Sequence, residues 1–91
     1  MRWFGTSRLA TGQIEVGTVA TLILPIRRTR RSLLVVQHGS NAVYIGADEN
    51  VTATTGVLLT GTAGVGLSIP TTGEVWGIAG SAQTVSWIEI Y

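Results

Sequence analysis

His38 is the only histidine of the chain, and an imidazole is the side chain best suited to exchanging protons near neutral pH. It stands beside the turn residues Gly39, Ser40 and Asn41, where nothing in the sequence brings a second catalytic group to it, so it reads as a surface turn residue. Asp48 and Glu49 are adjacent, and adjacent residues of an extended chain point to opposite sides, which makes a poor general acid/base pair. The chain has no cysteine, which removes disulfides, thiolate nucleophiles and cysteine-ligated zinc. Gly61, Gly64 and Gly66 form a glycine-rich segment without the lysine of a phosphate-binding loop. Ile69 stands where a dinucleotide fingerprint needs its last glycine. That segment reads as a flexible loop between strands. These residues predict a binding or structural protein and not an enzyme, with no cofactor and no metal.

Recognition is the chemistry that remains. Arg27, Arg28, Arg30 and Arg31 hold most of the positive charge in a chain without lysine. A planar guanidinium suits two-pronged contacts to carboxylate or phosphate. The cluster therefore reads as a docking patch for an acidic protein surface, or as a solvated turn that keeps a sheet edge soluble. Nucleic acid fits less well, because no basic stripe or aromatic stacking platform is interleaved with it. Trp3 and Phe4 lie in a segment, residues 1–12, that shows neither helical nor strand periodicity. Two large aromatics there suggest an N-terminal arm with interface anchors, or a cap on the domain's own core. Asn50-Val51-Thr52 has the form of a glycosylation acceptor, but no secretory signal accompanies it.

The elements that must carry these residues are strands. Short apolar runs recur between Gly, Ser, Asn and Thr clusters, the spacing of a sandwich or barrel. Ile14 to Leu24 alternates cleanly, and predicts one strand with Ile14, Val16, Thr18, Ala20, Leu22 and Leu24 on one face. Pro25 ends or bulges it. Leu33 to Val36 is continuously apolar and predicts a strand buried on both faces. Ala42 to Ile45 reads as its hairpin partner after the turn at 38–41. Further strands are expected at Val51–Ala53, Val57–Leu59, Leu67–Ile69, Glu74–Ala79 and Thr84–Ile90. In the last of these, Val85 and Trp87 share one face and Ile88 and Ile90 the other, so the strand is apolar on both sides. The expectation is an all-β domain over residues 13–91, a small sandwich or barrel of seven to eight short strands with an extended N-terminal arm.

Composition sets the outside of such a domain. Of 91 residues, 45% are hydrophobic and only 12% charged, against about 25% charged in an ordinary soluble domain. A small sandwich with that composition has to expose apolar area, and large exposed apolar patches mark interaction surfaces. An oligomer, or a subunit docked on a larger particle, follows. The net charge of +1 is too small to draw the whole chain to nucleic acid or membrane. The longest apolar stretch, Val19 to Ile26, is far shorter than the roughly 20 residues of a membrane span, and Met1 to Phe4 leads into Gly5, Thr6 and Ser7 rather than an apolar signal core. The expectation is a soluble, unprocessed chain.

Taken in order, Ile23-Leu24-Pro25, Arg31 to Val36, Ala42 to Gly46, Val51-Thr52, Gly56 to Leu59, Val75 to Ala79 and Val85 to Glu89 resemble a pattern seen in small virion proteins of tailed bacteriophages, among them capsid decoration (cement) proteins and head-fibre modules. The resemblance spans residues 14–91. It implies a jelly-roll-like β-sandwich, a homotrimer bound to the major capsid protein on the outer capsid surface of the virion. Trp3, Phe4, Arg27, Arg28, Arg30 and Arg31 become the candidate partner contacts. Ile26 and the four arginines depart from the polar turn that similar proteins carry after the proline, which bears on the partner surface. A head-fibre or tail-fibre module binding host-surface glycan, with Trp76, Trp87 or Tyr44 as stacking residues, is the alternative.

Overall fold

In a computed structural model, described over residues 8–91, the chain forms eight strands and no helix: β1 (Leu9–Val16), β2 (Thr21–Leu24), β3 (Ser32–Gln37), β4 (Val43–Gly46), β5 (Val57–Leu59), β6 (Gly66–Ser68), β7 (Val75–Ala79) and β8 (Gln83–Ile90). They build two four-stranded antiparallel sheets, β1-β8-β3-β6 and β2-β7-β4-β5. These two sheets stack as a sandwich and do not close into a barrel. First pairs with last, second with seventh, third with sixth and fourth with fifth. The chain is thus one long hairpin, its tip between β4 and β5, rolled so that β8 also meets β3 and β7 also meets β4. This is the strand order of a jelly roll.

The core lies between the sheets. Leu33, Val35 and Val85 from one sheet face Ile23, Leu24, Val43, Ile45, Leu59 and Val75 from the other, with Val16 and Ala79 at one end. Strand alternation puts these residues on the inner faces, and β-branched side chains suit a half-buried pleated surface. Gln37 ties the sheets together at that end: its Nε2 donates to the carbonyls of Leu59 and Thr60. Its main chain also holds the glycine-rich segment, accepting from Gly64 N and donating to Val65 O. Gly64 turns with φ +90°, a conformation open to glycine at little cost.

Several expectations are revised by this architecture. The predicted strand from Ile14 to Leu24 is two strands in different sheets, broken at Gly17 to Ala20. Within β2 the register slips between Leu22 and Leu24. That bulge puts both Ile23 and Leu24 in the core and turns Leu22 outward, so Leu24 keeps its expected inward side while Leu22 and Ile23 exchange theirs. β3 is buried on one face only, with Leu33 and Val35 inside and Leu34 39% exposed. Nor is β4 its hairpin partner, because the chain changes sheets at 38–42. No strand forms at Val51–Ala53. Thr52 and Thr55 close that stretch into a turn, Thr52 N donating to Thr55 Oγ1 at 2.9 Å and Gly56 N to Thr52 O at 2.8 Å, since threonine hydroxyls compete for backbone groups. β1 starts at Leu9, so the sheet takes in residues that the sequence reading assigned to the arm. The remaining strands, β5 to β8, lie within a residue or two of their expected positions, with Ile88 and Ile90 facing away from Val85 and Trp87.

Candidate docking surfaces

The arginine cluster sits in the loop from β2 to β3, and the structure divides its members. Arg30 is buried, 4% exposed, against Glu89, 1% exposed. Its Nε donates to Glu89 Oε2 at 2.7 Å, its Nη1 to the carbonyls of Thr71 and Gly73 at 3.1 and 2.9 Å, and its Nη2 to the carbonyl of Pro25 at 2.7 Å. A guanidinium used in this way is an internal strut between the 25–31 loop, the 69–74 loop and β8, so Arg30 is corrected from partner contact to structural residue. Arg27 is half-exposed and pairs with the other oxygen of Glu89, Nε to Oε1 at 3.1 Å, while its guanidinium lies 3.8 Å from the centre of the Tyr91 ring. Arg28 and Arg31 stand at the surface. Trp3 and Phe4 lie outside the described residues.

Glu89 is the member of this site that sequence reasoning missed. Its signal was its parity in β8: Gln83, Val85, Trp87 and Glu89 share the core face. A carboxylate at an interior position needs a cation and further donors. The partner is 59 residues away in the chain, which local pattern cannot supply.

The outer faces of the sandwich are apolar to an unequal degree. On the β2-β7-β4-β5 sheet, register places Leu22 beside Trp76, and Tyr44 between Ile78 and Leu58. All five side chains point away from the core, Leu58 with 52% of its surface exposed. The 47–56 loop folds back over Gly46, seating the buried Val51 against it. Beside it, Tyr44, Ile78, Ala53, Asn41 and Ser81 line a hollow of about 500 Å³, where Asn41 Nδ2 donates to Ser81 Oγ at 2.7 Å. Of the aromatic residues considered for stacking, Trp76 and Tyr44 therefore share this face. Trp87 points the other way and packs on the core, its indole against Gly12. On the β1-β8-β3-β6 sheet the outward Leu9, Leu34, Val36, Ile88 and Ile90 are interleaved with Thr11, Gln13, Ser32, Ser68 and Ser86.

The remaining polar residues stay apart from these faces or are used locally. His38 Nε2 and Ser86 Oγ are 2.8 Å apart on the exposed side of that second sheet. Asp48 Oδ1 accepts from Asn50 N at 2.9 Å and closes its own turn. Among the described residues no three His, Asp or Glu side chains gather as metal ligands, and no helix is long and apolar enough to cross a membrane. Comparison with protein-family models, curated proteins and solved structures returns no match.

Proposed function

We propose that this chain is a structural virion protein, a decoration (cement) subunit that binds the outer surface of a tailed-phage head, as a homotrimer on the major capsid protein, and stabilises contacts between capsomers. One observation carries the reading: Leu22, Tyr44, Leu58, Trp76 and Ile78 share the outer face of one sheet, beside the 47–56 loop that folds over Gly46, with Leu58 the most exposed of them. Each large side chain taken fully out of water contributes about 1.5–3 kcal/mol, and a preformed sheet surrenders little extra entropy on docking. The second sheet is a poorer candidate, because its outward aliphatics alternate with hydroxyls and amides that would have to find partners. Buried area added between neighbouring capsomers raises the barrier to their separation under internal DNA pressure. Jelly rolls build viral capsid domains and lectins alike, so the fold supports the reading by analogy alone.

Heads prepared without this chain, mixed with the purified protein and sedimented, test the face. The wild type is expected to co-sediment to saturation, and Leu58→Asp and Trp76→Ser to lose most of that binding while keeping their unfolding midpoint. Undiminished binding by both variants would remove the face from the account.

A glycan-binding fibre module is the second reading, favoured by the hollow in which Tyr44 lies beside Asn41 and Ser81. An aromatic ring next to amide and hydroxyl groups suits a sugar's apolar face and its rim of hydroxyls. That module would bind host-surface glycan in a Tyr44→Ala-sensitive manner and would not need Leu58.

A further inference from the structure

Nearly all the charge of the described chain sits at one end of the sandwich. The 25–31 loop with Arg27, Arg28, Arg30 and Arg31 is there, as are Arg8, Asp48, Glu49, Glu74 and Glu89, whereas Glu15 and His38 lie toward the other end. The charged end has two unlike halves. Arginines ride on the loop beside the β1 and β2 edges; three acids, Asp48, Glu49 and Glu74, ride on the 47–56 and 69–74 loops, Asp48 accepting from Asn50 N and Glu74 from Trp76 Nε1.

Each half also carries an apolar feature. On the basic side Ile26 is 61% exposed in a loop fastened on both sides of it: Pro25 fixes one backbone angle and lends its carbonyl to Arg30, while Arg27 N donates to Thr72 O at 2.9 Å. Ile26 is thus held out in water by a braced backbone. On the acidic side the sheets part between β5 and β6, leaving an open slot of about 400 Å³ lined by Ile45, Val57, Leu67, Ile69, Pro70 and Val75, with Glu74 at its rim. Ala47, just before Asp48 and Glu49, also lines the slot. Neither edge strand bordering the slot has a charged residue or a proline, the usual devices that discourage an edge from pairing.

We propose that this slot receives Ile26 of a second copy of the chain, with Arg28 of the incoming loop set against Glu74 and the Asp48-Glu49 turn. An apolar knob followed by cations and an apolar slot with Glu74 in its lining and Asp48-Glu49 directly after its Ala47 are complementary in sign. Within one copy the knob cannot enter the slot, because its loop is bound to the near side of the 69–74 loop. The contact deepens the assembly reading above and rests on it, yet the tests separate. Self-association is measured on the purified protein alone, virion location on particles.

Sedimentation equilibrium of the full chain over a wide concentration range reads the contact. The wild type is expected to self-associate, Ile26→Ser to weaken association by about tenfold or more, and Arg28→Glu and Glu74→Lys each to weaken it, with the double variant recovering much of the loss. Each variant changes exposed residues, and an unchanged denaturation midpoint shows that it is folded. A wild-type chain that stays monomeric overturns the inference. So does association that persists in Ile26→Ser but disappears in Leu58→Asp, which would join the copies through the outer sheet face instead.

Discussion

Glu89 and Arg30 fix the charged end of the domain. Burying an ion pair gives back much of its Coulomb energy as desolvation, but this pair is saturated: three carbonyls and both carboxylate oxygens are engaged. Removing one partner leaves the other charged and dry. Glu89→Ala is expected to destabilise the fold by about 3–5 kcal/mol, measured as a lower denaturant midpoint at constant slope. The double variant Arg30→Met/Glu89→Leu is expected to cost less than the sum of the single changes; strict additivity would show that the pair is not coupled. Gly64 is a simpler case. Space around it is open, so Gly64→Ala is expected to cost only the strain of its left-handed backbone, about 1–2 kcal/mol, visible in the same unfolding curve. The glycines of that segment were legible as a loop. Its fastening by Gln37 was not, because that depends on a residue from another strand.

At the scale of elements, the sequence announced strands where turn residues bound them on both sides. β5 and β7 are framed by Gly, Ser or Thr clusters, and β8 follows the Gly80-Ser81 turn; all three fall close to their expected positions. Legibility failed where tertiary choices enter. The turn at His38 to Asn41 marks a reversal, and local chemistry is the same whether the chain returns in its own sheet or crosses to the facing one. The bulge at Ile23 turns two consecutive residues inward, which alternation cannot anticipate because Leu22, Ile23 and Leu24 are equally apolar. β3 offers the sharpest check. Leu33→Ala, at a core position, is expected to lose about 2–5 kcal/mol, whereas Leu34→Ser, on the outer face, is expected to stay within about 0.5 kcal/mol. Equal, large losses in thermal or denaturant unfolding would restore a strand buried on both faces.

For the whole molecule, the low charge content read from composition has a specific geometry. Charge is gathered at one end, the outer face of the β2-β7-β4-β5 sheet is left apolar, and a compact jelly roll presents both as fixed surfaces. Composition could indicate that some surface had to be sticky; which sheet, and on which side, follows from the register alone. On the decoration reading proposed above, these surfaces are the ones that would meet neighbouring chains. The direct measurement is the copy number of this chain in purified virions, by quantitative mass spectrometry against the major capsid protein. The decoration reading predicts a stoichiometry matching the number of capsomer junctions; a handful of copies per particle, or none, would contradict it.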